Sequence, residues 1–132
     1  LTLIRTLRRQ RGLALLLGLL LDLQGKIDED PRAVAVLARW SGCMKQSGFD
    51  YQRPKDAWAD SRWQAAATPS AEEKAVAVAE VECGRKAKVA ETLAAVERAY
   101  QTRVVDEKSQ ELAEYTRGKE AVMRHVAQVL GR

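Results

Sequence analysis

Few residues in this chain could do chemistry, and their spacing limits what kind. The two cysteines, Cys43 and Cys83, lie outside any C-x-x-C, and the only histidine, His125, is far from both in sequence, so a zinc ion would lack its ligand set. No serine or cysteine stands in a nucleophile-elbow context, and no glycine-rich phosphate loop follows a strand-like run. The acidic pairs Glu72/Glu73 and Glu80/Glu82 are adjacent or two apart, which on a helix splays carboxylates instead of converging them. Asp28-Glu29-Asp30 could attract a divalent cation weakly but lacks the alternating spacing of an EF-hand loop. His125 reads as an ordinary helical histidine. The expectation is a protein that is not an enzyme, with no catalytic residue, no metal and no cofactor.

Two groups of residues remain. Cys43 and Cys83 could be two buried thiols of a cytosolic protein. Each falls on the apolar face of an expected helix, however, and a bridge between them would tie the two halves of the chain together. Closing a loop of roughly 40 residues stabilises by about 4 kcal/mol in the chain-entropy picture. The bridge is the favoured reading, and it implies an oxidising compartment. The aromatics form the second group: all three tryptophans and the only phenylalanine lie between residues 40 and 63. Tyr51, Trp58 and Trp63 could form a stacking platform for a ligand. The plainer reading has these rings wedged beneath a loop to complete a thin core, as the large apolar surface of tryptophan allows.

The elements that position these groups read as helices. Ser70-Ala71-Glu72-Glu73 has the form of a capping box, and no proline follows it. From there apolar residues recur at helical spacing: Val76, Ala79, Cys83, Ala87, Ala90, Leu93, Val96, Tyr100, Val104, Leu112, Tyr115, then Val122, Val126 and Val129. The stripe drifts instead of holding a heptad, which argues against a uniform two-stranded coiled coil. Gly84 and Gly118 each cost about 1 kcal/mol inside a helix, so residues 70–130 are expected to form two helices broken near Tyr115–Lys119, or one long one. Upstream, Asp30 as N-cap and Pro31 at the first helical position open a helix over 30–47, and Gly48 is its natural stop. Phe49–Thr68 reads as an irregular, aromatic-bearing crossover.

Residues 1–24 begin with a basic group, Arg5, Arg8, Arg9 and Arg11, followed by the apolar run Leu13–Leu21. The run resembles a signal sequence in outline, yet no A-x-A site follows Leu21 and no lipoprotein box is present. It falls well short of the roughly 20 residues that span a bilayer. A core helix ended by Gly25 is expected, with a partner-facing or membrane-surface helix and a targeting remnant as alternatives. Leu13, Leu16, Leu17 and Leu20 are then candidate interaction residues. Across the chain of 132 residues, 22 basic against 18 acidic side chains leave a net charge of +4. Only Arg5–Arg11 and Arg85, Lys86, Lys88 form basic clusters, so solvated faces are expected and nucleic acid is not.

One resemblance covers about residues 30 to 115. Trp40-Ser41-Gly42-Cys43-Met44, then Gly48-Phe49-Asp50-Tyr51-Gln52-Arg53-Pro54, then Trp63 and Cys83, give the pattern W-x-x-C-M, G-[FY]-x-Y-x-x-P, W, C. It resembles that of a family of small, uncharacterised secreted helical proteins and lipoproteins of high-GC Gram-positive bacteria. The resemblance implies a Cys43–Cys83 pairing and a place outside the cytoplasm, with no assigned activity. The Leu-rich start has no lipid-acceptor cysteine and departs from the lipoprotein members.

These readings converge on a single all-α domain, an elongated bundle of three to four helices with an aromatic crossover and one disulfide. The expected role is a binding or scaffold module acting through protein–protein contact or self-association. Action at a membrane through residues 1–24 is the alternative, and a small-molecule substrate is not expected.

Overall fold

A computed structural model of the chain describes the backbone of residues 2–131 and the side chains of residues 11–131. Among the described residues the fold is all helical, with α1 Thr2–Glu29, α2 Pro31–Gln46, α3 Pro54–Trp58, α4 Ser61–Gln64, α5 Ala71–Ala87, α6 Val89–Glu107 and α7 Ser109–Val129. The expected three to four helices is therefore an undercount, and the additional ones arise at three places.

The crossover is the first. It contains two short helices, each started by local chemistry. Pro54 pre-sets φ at the start of α3, and the Asp56 carboxylate accepts from the Arg53 N–H at 3.0 Å. Asp60 caps α4 by accepting from the Arg62 N–H at 3.0 Å. The second and third places lie beyond Ser70, where the breaks fall at neither glycine. Lys88 takes the left-handed conformation (φ 58°) and ends α5, and its N–H is shared between the carbonyls of Arg85 and Gly84. Lys108, with φ −112° and ψ 21°, separates α6 from α7. A Cβ at Gly84 or Gly118 would meet open space, so neither glycine marks a close approach, and a cost of about 1 kcal/mol does not end a helix that packing supports.

Gly25 likewise does not stop α1, which continues to Glu29. Lys26 and Asp22 form an i,i+4 ion pair at 3.0 Å across it, and Leu23 and Ile27, one turn apart, are both buried. These contacts outweigh the glycine penalty. Asp30, itself buried, caps α2 by accepting from the Arg32 N–H at 2.9 Å, and the Arg32 side chain binds back to the same carboxylate. At the other end, the Phe49 N–H donates to the Met44 carbonyl and the Gly48 N–H to the Lys45 carbonyl, with Gly48 at φ 90°. That is a Schellman cap, and its apolar seal is Phe49 and Met44 in one cluster.

The chain divides into two compact units. One spans Ile27–Glu97 and holds α2 packed on α5. Its core gathers Val36, Trp40 and Met44 of α2 with Val76, Ala79, Cys83 and Ala87 of α5, closed by Tyr51 and Ala57 from the crossover. Cys43 and Cys83 are bridged, with Cα atoms 5.6 Å apart. Trp40, one turn before Cys43, is fully buried in the same cluster, and its indole N–H finds no acceptor among the described residues. Beyond Lys88 the apolar phase resets: Val89 and Leu93 pack on the core while Ala90 is exposed.

The other unit takes α1 as far as Lys26 together with the chain from Arg98 onward. Within it, a Cβ built on Gly12 would lie 2.8 Å from the Tyr115 ring, so the glycine lets α1 approach α7 there. The expectation of a buried Leu-rich core helix is not met. Leu15, Leu16 and Leu19 are half-buried, while Leu13, Leu17, Leu20 and Leu21 are exposed. Val122, Val126 and Val129, the end of the expected apolar stripe, are exposed as well.

Candidate functional site

The crossover residues separate into two groups that the sequence does not distinguish. Tyr51 follows the plainer reading of the crossover aromatics and belongs to the core, not to a stacking platform. Ser41 Oγ donates to the Tyr51 carbonyl at 2.7 Å, and the Tyr51 hydroxyl donates to Asp60 Oδ2 at 2.7 Å. Arg62 completes this network: Nη2 donates to the Tyr51 hydroxyl at 2.9 Å, Nε to both Asp60 oxygens, and Nη1 to Glu72 at the start of α5. The charges hold one another in place. The Arg62 guanidinium, helped by the Tyr51 hydroxyl, keeps the Asp60 carboxyl well below the usual carboxylate range, and Asp60 in turn raises Arg62. Burial, with Asp60 alongside, pushes the Tyr51 phenol up. These are structural roles, and no ring face of Tyr51 is offered to a ligand.

Trp58 and Trp63 are the other group. Trp58 is 67% exposed although it ends a helix whose Ala57 is buried. The Trp63 Nε1–H donates to the Ala57 carbonyl at 2.9 Å, which fixes the indole, and the Arg62 guanidinium lies 4.8 Å from its ring centroid. Both indoles line a cleft of about 300 Å³, with Ala57 beside them and Glu73, Val76, Ala77 and Glu80 of α5 along the other wall. Those α5 positions are spaced i, i+3, i+4, i+7 and so share one helix face. The capping box expected at Ser70 is half formed: Ser70 Oγ accepts from the Glu73 N–H at 3.1 Å, but the Glu73 side chain lines the cleft and makes no return bond among the described residues. The sequence signal for this arrangement was present in the helical spacing of Glu73 and Glu80; reading them as pairs with Glu72 and Glu82 obscured it.

The leucine face is a second feature. On α1, Leu13, Leu17 and Leu20 are spaced i, i+4, i+7 with Leu21 beside them, and Leu20 and Leu21 are 60% and 75% exposed. Leu16, the remaining candidate there, is half-buried. Among the described residues, no helix is long and apolar enough to cross a membrane.

Among the described residues no group of three or more His, Cys, Asp or Glu side chains is placed to hold a metal ion. Both sulfurs are in the bridge, Asp30 is occupied as a cap, and His125 is exposed on α7. Of the two basic clusters, Arg85, Lys86 and Lys88 are exposed around the end of α5, whereas the side chains of Arg5, Arg8 and Arg9 lie outside the described residues. Comparisons with protein families, with curated proteins and with solved structures return no match for the chain.

Proposed function

We propose that the chain is a non-enzymatic, extracytoplasmic helical binding module that acts through contact with other protein. The observation that carries this reading is the exposed leucine face of α1. Leu13, Leu17, Leu20 and Leu21 form a patch on the order of a few hundred Å², the scale at which exposed apolar surface marks an interaction site. Covering them stabilises by roughly 5 kcal/mol, which is close to the cost of association itself. The leucines alone therefore support weak association, and further apolar surface has to contribute. Val122, Met123, Val126 and Val129, exposed on α7, and Leu130 at its C-cap are available in the same unit.

The intramolecular bridge fits an oxidising compartment. It also withdraws both thiols from nucleophilic chemistry, which supports a non-enzymatic role. The W-x-x-C-M and G-[FY]-x-Y-x-x-P pattern adds the resemblance to secreted helical proteins of high-GC Gram-positive bacteria.

Light scattering over a concentration series tests the reading. The parent is expected to exceed monomer mass at roughly 100 µM, since weak apolar association lies in the micromolar range or above. Leu17→Glu with Leu20→Glu should return it to a monomer with unchanged helicity. A parent that stays monomeric throughout, alone and with candidate partner proteins, would overturn the reading.

A second reading rests on the same face lying just after Arg11: an interfacial helix on an anionic membrane. Co-sedimentation with anionic vesicles that is lost in the Leu17→Glu, Leu20→Glu variant would favour it.

A further inference from the structure

We infer that the cleft between Trp58, Trp63 and α5 is a binding site for an organic cation, specifically an alkylammonium head group. The inference goes beyond the protein-contact reading and does not rest on the leucine face.

Four features of the cleft point the same way. Both indoles line the cleft; the Arg62 guanidinium already lies over the Trp63 ring, and the exposed Trp58 offers an indole face, the best aromatic partner for a cation. Glu73 and Glu80 line the cleft from one face of α5, two helical turns apart, roughly 10 Å along the axis. Among the described residues neither carboxylate makes an ion pair, and the neighbouring cation, Arg62, is already neutralised by Asp60 and Glu72. Val76 and Ala77 between the two glutamates supply an apolar surface for the alkyl skirt of such a head group.

The hydrogen-bonding inventory separates this ligand from the main competitor, a sugar stacked on tryptophan. Sugar hydroxyls both donate and accept, and a sugar site supplies both functions. The side chains lining this cleft offer two carboxylate acceptors and a single uncommitted donor, the Trp58 N–H, because the Trp63 N–H is committed to the Ala57 carbonyl. A ligand that brings positive charge, and no acceptors to be satisfied, fits that inventory. Size agrees. A volume of about 300 Å³ is at the lower end for ligand pockets, right for a single head group and too small for a cofactor. Such a head group can come from a free quaternary ammonium compound or from the lysine side chain of a protein, and the chemistry of recognition is shared.

The three tryptophans allow a test with an internal control. Trp40 is fully buried away from solvent, so its indole N–H resonance should stay fixed while those of Trp58 and Trp63 move on binding. The intact protein is titrated in parallel with tetramethylammonium, with N-acetyl-lysine methylamide, with neutral 3,3-dimethylbutan-1-ol, with methyl glucoside and with sodium chloride. Tetramethylammonium or the lysine derivative is expected to shift the two indoles saturably with a Kd on the order of millimolar, as an exposed cation–π site would give. The stronger of the two identifies the source. Trp58→Ala, which removes an exposed side chain and should leave the Trp40 resonance unchanged, is expected to weaken binding about fivefold or more. Glu73→Gln with Glu80→Gln should weaken both cations and leave the neutral alcohol unaffected. Equal shifts with the neutral alcohol, saturation by the glucoside alone, or no indole movement with either cation at roughly 100 mM would each overturn the proposal. Leu17→Glu should not change the titration, so this inference and the leucine reading fail separately.

Discussion

At the scale of single residues, the Tyr51, Asp60 and Arg62 network ties the crossover to the start of α5, and it makes stability depend on pH at both ends of the range. Asp60 has a folded pKa below its ordinary value of 3.8, so its contribution is fully present above that value and is lost as pH falls through the folded one. Tyr51 has the opposite sense. Its folded pKa lies above the ordinary 10.0, so the neutral phenol is favoured in the fold; that contribution is complete below pH 10.0 and is lost as pH rises through the folded value. Tyr51→Phe removes a hydroxyl that both donates and accepts, and should cost roughly 1–2 kcal/mol at neutral pH. Denaturant unfolding of parent and variant between pH 7 and 11 should show the gap closing only in the alkaline limb; a constant gap would show that the phenol does not titrate with folding. That Tyr51 completes the core was legible in the sequence as the plainer reading of the crossover aromatics, but its polar network was not, because it depends on a carboxylate nine positions on and a guanidinium beyond it.

At the scale of elements, the glycines of the long helices make contrasting predictions. Gly118 faces open space on α7, so Gly118→Ala should stabilise by about 0.5–1 kcal/mol through backbone entropy. Gly12→Ala gains the same propensity term but drives a Cβ to 2.8 Å from the Tyr115 ring, an overpacking that costs about 1–3 kcal/mol, so the net effect should be destabilising. Adding Tyr115→Ala to Gly12→Ala should recover the propensity gain, and the coupling read from a double-mutant cycle decides it. The same contrast explains which helices were legible. The start of α2 at Asp30-Pro31 and its end at Gly48 follow from cap chemistry written in adjacent residues. The break at Lys88 does not, since a lysine carries no signal for a left-handed backbone. Nor was the exposure of Leu13–Leu21 legible, because an all-apolar run does not say which of its faces finds a partner within the chain.

At the scale of the whole molecule, the bridge is the feature that fits an oxidising compartment. Cys43 and Cys83 are separated by 40 residues and close a loop that lies within one of the two units. In the chain-entropy picture, restricting the unfolded chain over such a loop stabilises by about 4 kcal/mol, a large part of the stability of a domain this size. The two cysteines differ as places to cut it. Cys83 is buried, so a serine there would bury a hydroxyl as well as lose the bridge. Cys43 is only half-buried, which makes Cys43→Ser the cleaner variant. That variant should lose roughly 3–4 kcal/mol. Reductant should lower the Tm of the parent toward that of the variant and leave the variant unchanged, because only the parent has a bond to break. Alkylation without reductant, followed by intact-mass measurement on protein taken from its native compartment, gives the decisive reading. An unmodified mass is expected, since both sulfurs are in the bridge. Two added alkyl groups would show free thiols in the cell and would sink the extracytoplasmic assignment together with the bridge.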